Sequence, residues 1–71
     1  MAVAGAMTTA YNIVPAKDKL HVTKTTYPSN LCTPPALAVE RLRNWTPGDK
    51  PVIVQGSDMA QFWALWEQEA D

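Results

Sequence analysis

The spacing of large apolar residues after Gly56 is the feature that most constrains the fold of this chain. Apolar residues recur there at steps of three and four, as they do on one face of an α-helix. They are Met59, Phe62, Trp63, Trp66 and Ala70. Ser57 stands where a helix N-cap is favoured, and Asp58 suits the positive end of the helix dipole. We therefore predict a helix over the last fifteen residues, 57–71, with its indole rings turned inward.

Three stretches upstream have the residue types of β-strands. Residues 10–14 and 19–27 are rich in β-branched and aromatic residues, and in the second stretch Leu20 and Val22 alternate with polar residues. The four residues between the two stretches predict a β-hairpin. Residues 51–55 contain the run Val-Ile-Val, which is typical of a strand buried on both faces. We therefore expect this third strand to lie at the centre of the sheet.

A first helix is predicted between the second and third strands. Thr33 is a candidate N-cap, and Pro34 follows in the first turn, where its missing N–H costs nothing. The apolar face of this helix consists of Pro35, Ala38, Val39, Leu42 and Trp45. Leu37 lies off that face. The helix should end near Trp45, because the Pro-Gly-Asp sequence at 47–49 breaks helices.

The resulting order β-β-α-β-α predicts an α+β fold, a small three-stranded sheet with both helices packed on one face. Seventy-one residues allow a single domain, and a 46 % hydrophobic content that includes three tryptophans supplies its core. We assign residues 9–71 to that domain and residues 1–8 to a flexible N-terminal tail, since untethered termini are usually disordered. If the second and third strands were neighbours, the helix between them would make them parallel.

Cysteine content bears on the compartment. Cys32 is the only cysteine, which excludes an internal disulfide and a cysteine-rich metal site. A domain held by packing alone suits a reducing compartment, and we expect a cytoplasmic location. The apolar residues 1–7 lack the basic segment of a signal peptide, and no stretch reaches the ~20 apolar residues of a membrane span. We expect no membrane association.

Charge is distributed unevenly along the chain, although the net charge is only −1. Residues 1–50 hold all six Lys and Arg residues, whereas residues 51–71 hold four acidic residues and no cation. A near-neutral chain is not expected to bind nucleic acid strongly, because binding requires many phosphates to be neutralised together. As an alternative function, the hairpin could bind nucleic acid weakly through basic and stacking residues on one solvent-facing surface of the sheet. These residues are Lys17, Lys19, His21, Lys24 and Tyr27.

No set of residues indicates a catalytic, metal or cofactor site. Cys32 precedes a predicted helix start, which would lower the pKa of its thiol. The only histidine, His21, is one possible base, and nothing in the sequence brings the two together. A half-buried structural thiol is the favoured interpretation, with a thiol enzyme as the alternative. The Gly56-Ser57 turn lacks the extra glycines or the lysine of a phosphate-binding loop. The acidic residues of the last helix are scattered around its polar side, whereas acid–base catalysis needs them to converge.

The aromatic face of the C-terminal helix suggests the function we favour. A domain this small has difficulty burying three tryptophans, and exposed indoles rimmed by Glu and Gln anchor partners. We therefore predict a small non-catalytic protein-interaction module, an adaptor, inhibitor or assembly subunit, of the kind common among phage and mobile-element accessory proteins. It would bind another protein through the C-terminal helix or an open sheet edge, and self-association into a homo-oligomer is left open. The predicted partner-binding residues are Phe62, Leu65, Trp66 and Glu69, with Leu65 and Trp66 expected to be partly exposed.

Overall fold

Two helices pack on one face of a three-stranded sheet in the computed structural model, which describes residues 6–68. The strands are β1 (Met7–Pro15), β2 (Leu20–Pro28) and β3 (Val52–Gln55), and the helices are α1 (Pro35–Arg43) and α2 (Met59–Gln68). Short 3-10 turns at Ser29–Leu31 and Gly56–Asp58 lead toward the two helices. The predicted α+β class and the order β-β-α-β-α are confirmed.

The strand order is β2-β1-β3, and both neighbouring pairs are antiparallel. The prediction that the third strand is central is therefore wrong, because β1 holds that position. A β-branched run fits an edge strand equally well once helices cover one of its faces. Val52 and Val54 are buried under the helices, whereas Ile53 on the other face is half-buried. Since β2 and β3 are not neighbours, the parallel pairing that depended on their adjacency does not form.

The hairpin formed by β1 and β2 fixes which residues share a face of the sheet. Ala16 donates its backbone N–H to the Lys19 carbonyl at 2.7 Å and closes the predicted connection. Ile13 lies opposite Val22 in β2 and Val52 in β3, which groups three apolar side chains on the helix-covered face. Because strand side chains alternate, odd-numbered residues of β1 and even-numbered residues of β2 lie on that face.

β1 begins three residues earlier than the predicted strand. Met7 and Thr8 pair with Pro28 and Tyr27, so both residues belong to the sheet. The two threonines that follow Met7 have high β-propensity, although they break the apolar alternation from which the strand was predicted. Residues 1–5 of the predicted tail lie outside the described residues, and for them the tail remains a prediction.

The hydrophobic core lies between the helices and the sheet. Its buried members are Ile13, Ala38, Val39, Leu42, Val52, Val54 and Phe62. α1 contributes most of its predicted apolar face, and Leu37, off that face, is 38 % exposed as expected. Phe62 is the one fully buried residue in the described part of α2. The attachment of α2 to the sheet therefore depends most on this ring.

Both helices begin differently from the prediction. Thr33 does not cap α1, because Pro34 occupies the N-cap position and makes no side-chain cap. The Thr33 N–H instead donates to the Ile53 carbonyl at 2.7 Å. The free edge of β3 thus provides an acceptor for the Thr33 N–H. This backbone hydrogen bond outweighs the small gain from a side-chain cap. Ser57 lies inside the 3-10 turn that leads to α2 and is not the N-cap of that helix. Gly56 begins the turn so close to β1 that a Cβ at this position would lie 3.1 Å from a β1 carbonyl oxygen.

Candidate functional site

The predicted partner-binding surface on α2 is only partly available. Phe62 is 0 % exposed, so its ring packs in the core and does not contact a partner directly. The Trp66 ring stacks on it, with 6.3 Å between ring centroids and 17° between planes. Leu65 and Trp66 are half-buried, as expected, and both pack against the core. Glu69 lies outside the described residues.

Trp63 is 36 % exposed, so the prediction that every indole of the C-terminal helix faces inward is wrong. Its ring meets Phe62 edge to face, with centroids 5.2 Å apart and planes at 69°. Consecutive residues point about 100° apart around a helix, so two neighbouring aromatic residues cannot both face a narrow sheet. Phe62 takes the inward position, and Trp63 is turned toward solvent.

The residues predicted for nucleic-acid binding do not share one surface. Lys17 and Lys19 lie in the hairpin connection and are exposed. His21 and Tyr27 belong to the face of the sheet opposite the helices, whereas Lys24 lies across from a β1 tyrosine that packs against the core. Strand side chains alternate between two faces, and positions 21 and 24 differ by an odd number. Lys24 and the Tyr27 ring therefore lie on opposite faces of the sheet.

A groove of about 430 Å³ lies along the outer edge of β3 and is open to solvent. Its walls come from the end of β2 and the segment after it, from the C-terminal end of α1 with the following turn, and from β3. The lining residues are Tyr27, Leu31, Thr33, Arg41, Asn44, Trp45, Asp49, Lys50, Pro51, Val52 and Ile53. We refer to this site as the β3 groove.

Leu31 is the most exposed large hydrophobic residue of the β3 groove. It is 60 % exposed, the highest value among the large hydrophobic residues that the structure describes. Backbone hydrogen bonds hold the segment that carries it at both ends. Ser29 donates to the Ala6 carbonyl at 2.9 Å, and Thr33 donates to the Ile53 carbonyl at 2.7 Å. Leu31 is consequently presented at a fixed place beside β3.

Two aromatic residues add large side chains to the apolar lining. Trp45 and Tyr27 are both half-buried, with part of each side chain open to the groove. Trp45 also packs against the core, and its backbone N–H donates to the Leu42 carbonyl at 3.4 Å where α1 ends. Trp and Tyr combine a large apolar body with a polar tip, which is the reason they are enriched at protein interfaces.

The charged residues of the β3 groove are two exposed cations and one carboxylate. The carboxylate, Asp49, accepts the Thr46 N–H at 2.9 Å, and the Asp49 N–H donates to the Thr46 carbonyl at 3.1 Å. Gly48, with φ +95°, permits the turn between them. Two cations, Arg41 and Lys50, against one carboxylate give the groove a net positive lining.

Cys32 has the environment of a structural thiol. It is half-buried, and its Sγ lies 3.6 Å from the Pro28 carbonyl oxygen as a donor. Burial raises the pKa of the Cys32 thiol, and the negative charge of Asp58 raises it further. His21 lies near the other end of β2, roughly 20 Å away at the usual rise of a strand. This environment disfavours the thiolate that a thiol enzyme would need.

Residues 6–68 contain no group of three or more His, Cys, Asp or Glu side chains arranged to hold a metal ion. No helix within that range is long and apolar enough to cross a membrane.

No protein family, curated protein sequence or solved structure compared with the chain matches it. The candidate site is therefore defined by the geometry and chemistry of the chain's own residues.

The β3 groove was not predicted from the sequence, although two of its residues carry a signal. Leu31 is an apolar residue directly after a Pro-Ser-Asn turn, and it belongs to no periodic apolar face. Trp45 ends the apolar face of α1 just before the Pro-Gly turn. The groove itself exists because β3 is an edge strand, whereas the sequence predicted a central one.

Proposed function

We propose that this chain is a small non-catalytic protein-interaction module that binds a segment of another protein in the β3 groove. The observation that carries the proposal is the 60 % exposure of Leu31 beside the half-buried rings of Trp45 and Tyr27. An exposed apolar side chain next to aromatic groups in a concave site is typical of a binding surface. Trp, Tyr and Arg, all present here, are the residue types that dominate interface energetics.

The lining of the groove indicates the chemistry of the partner. An apolar side chain of the partner would cover Leu31 and Trp45 and remove them from water. Arg41 and Lys50 are exposed cations, so acidic residues beside that apolar anchor would complement them. We therefore propose an acidic segment with an apolar anchor as the occupant. Exposed charge pairs of this kind contribute more to specificity and association rate than to affinity.

Two further observations support a non-catalytic role. Burial, and then the charge of Asp58, raise the pKa of the Cys32 thiol, which disfavours the nucleophilic thiolate. The described residues that line the groove include no histidine and only one carboxylate, Asp49, which the backbone engages. An adaptor, inhibitor or assembly subunit acts through such a surface without chemistry. The free Cys32 suits a reducing compartment, and we include a cytoplasmic location in the proposal.

A matched pair of leucines tests the proposal. Leu31→Glu places a charge in the β3 groove, and Leu37→Glu places the same charge on an exposed site of α1 outside it. Neither side chain belongs to the core, so both variants should unfold at nearly the wild-type temperature. Each protein is immobilised and incubated with lysate of the cells that express it, and bound proteins are identified by mass spectrometry.

The proposal predicts a protein retained by wild type and by Leu37→Glu but lost with Leu31→Glu. Arg41→Glu, on the rim of the same groove, should weaken retention of that protein and reduce its dependence on salt concentration. Retention that is equal for both leucine variants, or the absence of any protein that depends on Leu31, would contradict the proposal.

A further inference from the structure

The hydrogen bond that closes the hairpin tells which backbone groups of β2 face away from β1. Ala16 donates its N–H to the Lys19 carbonyl, so the backbone groups of Lys19 point toward β1. Backbone groups alternate between the two sides of a strand, so the odd-numbered residues of β2, which follow Lys19 at even intervals, also bond β1. The even-numbered residues then direct their N–H and C=O groups to the outside of the sheet.

A second hydrogen bond, on the opposite side of the sheet, leads to the same assignment. Thr33 donates to Ile53 from beyond β3, so the Ile53 carbonyl points away from β1. The residue of β1 paired with Ile53 is Asn12, whose backbone groups must therefore point toward β2. Asn12 is paired in β2 with Thr23, an odd-numbered residue. Two independent hydrogen bonds thus agree that the odd-numbered residues of β2 bond β1.

The outer side of β2 is an open edge. Among the described residues only β1 pairs with this strand, and no residue of β2 is buried. By contrast, the shorter edge strand β3 has two buried residues, and Thr33 occupies one of its outward carbonyls. We call the outward groups of β2 the β2 edge. They belong to Leu20, Val22, Lys24 and Thr26.

The side chains of the β2 edge indicate what could pair with it. All four lie on the helix side of the sheet, where Leu20 and Val22 are half-buried and pack against the core while Lys24 is exposed. The hairpin connection adds Lys17 and Lys19 against a single carboxylate, Asp18. An added strand would therefore meet two apolar side chains at one end and a basic region around them.

Pairing of the β2 edge with a second copy of itself is disfavoured by Lys24. An antiparallel pair of edges joins outward residues to outward residues. In a pair of edges whose two-fold axis passes through Lys24, the two lysines lie opposite each other. In a pair whose axis passes through Thr23, the two lysines are diagonal neighbours. A lysine in the middle of an edge strand opposes self-pairing, whereas an acidic strand would neutralise it.

We infer that the β2 edge accepts an extended acidic segment of a partner protein as a fourth strand. Its apolar residues cover Leu20 and Val22, and a carboxylate lies across from Lys24. Backbone hydrogen bonds to the even-numbered residues supply the affinity, as in other cases of strand addition. This surface is separate from the β3 groove, so the inference adds a second site to the proposed interaction role and stands or fails independently of the groove.

Amide hydrogen exchange measured by NMR tests the inference residue by residue. The probe is a capped synthetic peptide of nine residues, the length of β2, that alternates threonine with valine and carries glutamate at two of the valine positions. A matched peptide carries lysine at those two positions. With the acidic peptide at ten times its Kd, exchange at Val22, Lys24 and Thr26 should slow by about tenfold. Exchange at Thr23 and Thr25, already bonded to β1, should not change.

Four variants separate the edge from the rest of the molecule. Thr26→Pro removes one outward N–H without touching the ladder to β1 and should abolish the protection, whereas Thr26→Val should keep it. Lys24→Glu should transfer binding from the acidic peptide to the lysine peptide. Leu31→Glu should change nothing here, which distinguishes failure of the β2 edge from failure of the groove.

Several outcomes would overturn the inference. They are the absence of protection with the acidic peptide, equal protection with both peptides, and protection of odd-numbered residues or of groove residues instead. Protection of the even-numbered residues that appears without peptide as protein concentration rises would show that a second copy, and not an acidic partner, pairs with the edge.

Discussion

The guanidinium carbon of Arg43 lies 4.7 Å from the centre of the Trp66 ring, and Nη2 of the same side chain donates to the Trp66 carbonyl at 3.0 Å. One side chain of α1 thus holds both the ring and the backbone of a residue in α2. Trp66 in turn stacks on Phe62, the most buried ring of the core. The contact therefore couples the packing of α2 to the position of α1.

Arg43→Ala should lower the free energy of unfolding by roughly 1–2 kcal/mol, since it removes a cation–π contact and a hydrogen bond to a carbonyl. Arg43→Lys keeps the charge but loses the planar stacking group, so its loss should be intermediate. Urea unfolding measures both. Arg41→Ala on the same helix is the control, because the structure shows no ring contact for Arg41 among the described residues. An equal effect of the two alanine variants would contradict a specific Arg43–Trp66 contact.

Phe62 and Trp63 are neighbours in the sequence but should differ widely in their contribution to stability. Phe62→Ala removes a ring that is 0 % exposed and should cost about 3–5 kcal/mol, enough to unfold much of so small a domain. Phe62→Leu should remain folded with a smaller loss, which keeps the effect measurable. Trp63→Ala should cost clearly less than Phe62→Ala, because the indole is 36 % exposed. Thermal unfolding that ranks Trp63 above Phe62 would show that α2 is rotated about its axis.

The periodic and alternating patterns predicted the elements well because they depend on local physics. The apolar steps from Met59 to Trp66 and the strand-forming run at 52–54 both correspond to observed elements. These local patterns do not indicate which strand lies at the centre of the sheet. The Val-Ile-Val run of β3 has one face under the helices and Ile53 half-buried on the other. Strand order depends on tertiary contacts, such as the hydrogen bond from Thr33 to Ile53, that no local pattern contains.

The candidate site was predicted less well than the fold, for a related reason. Phe62 and Trp66 were singled out as partner-binding residues because large aromatic side chains suit both cores and interfaces, and sequence does not separate the two uses. The β3 groove joins Leu31 to Trp45 and Lys50, which follow it by 14 and 19 residues and share no motif with it. Such a site exists only once the strand order is fixed.

Cys32 should react more slowly with iodoacetamide than a free cysteine does at the same pH. Burial, and then the charge of Asp58, raise the pKa of its thiol, so the thiolate fraction near neutral pH falls. The alkylation profile should therefore have its midpoint above that of the urea-unfolded chain, and Asp58→Asn should lower the midpoint. A midpoint below that of the unfolded chain would instead support an activated thiol.

The same pKa shift has a consequence for stability. As pH rises through the pKa of the unfolded chain, the unfolded state loses the thiol proton before the folded state does. The free energy of unfolding should therefore decrease between the unfolded pKa and the higher folded pKa of Cys32. Cys32→Ser should remove this part of the pH dependence. An unchanged profile in that variant would assign the decrease to other groups.

Single-stranded RNA should bind the chain weakly or not at all, because Tyr27, the stacking residue, lies on the face of the sheet opposite Lys24. A fluorescence titration at low salt measures this directly. Binding through several phosphates would show a decrease in log K of about 0.7 per phosphate for each unit of log salt. A slope of several units that is lost in a Lys17, Lys19 and Lys24 triple-alanine variant would contradict this expectation and restore the nucleic-acid alternative.

Site-specific photo-crosslinking tests the role of the β3 groove most directly. A benzophenone amino acid is placed at the position of Leu31 in one protein and at the position of Leu37 in another, and cells that express each are irradiated. We predict a covalent adduct with one partner protein from position 31, which Arg41→Glu weakens, and no such adduct from position 37. Adducts of equal yield from both positions, or none from position 31, would contradict the account.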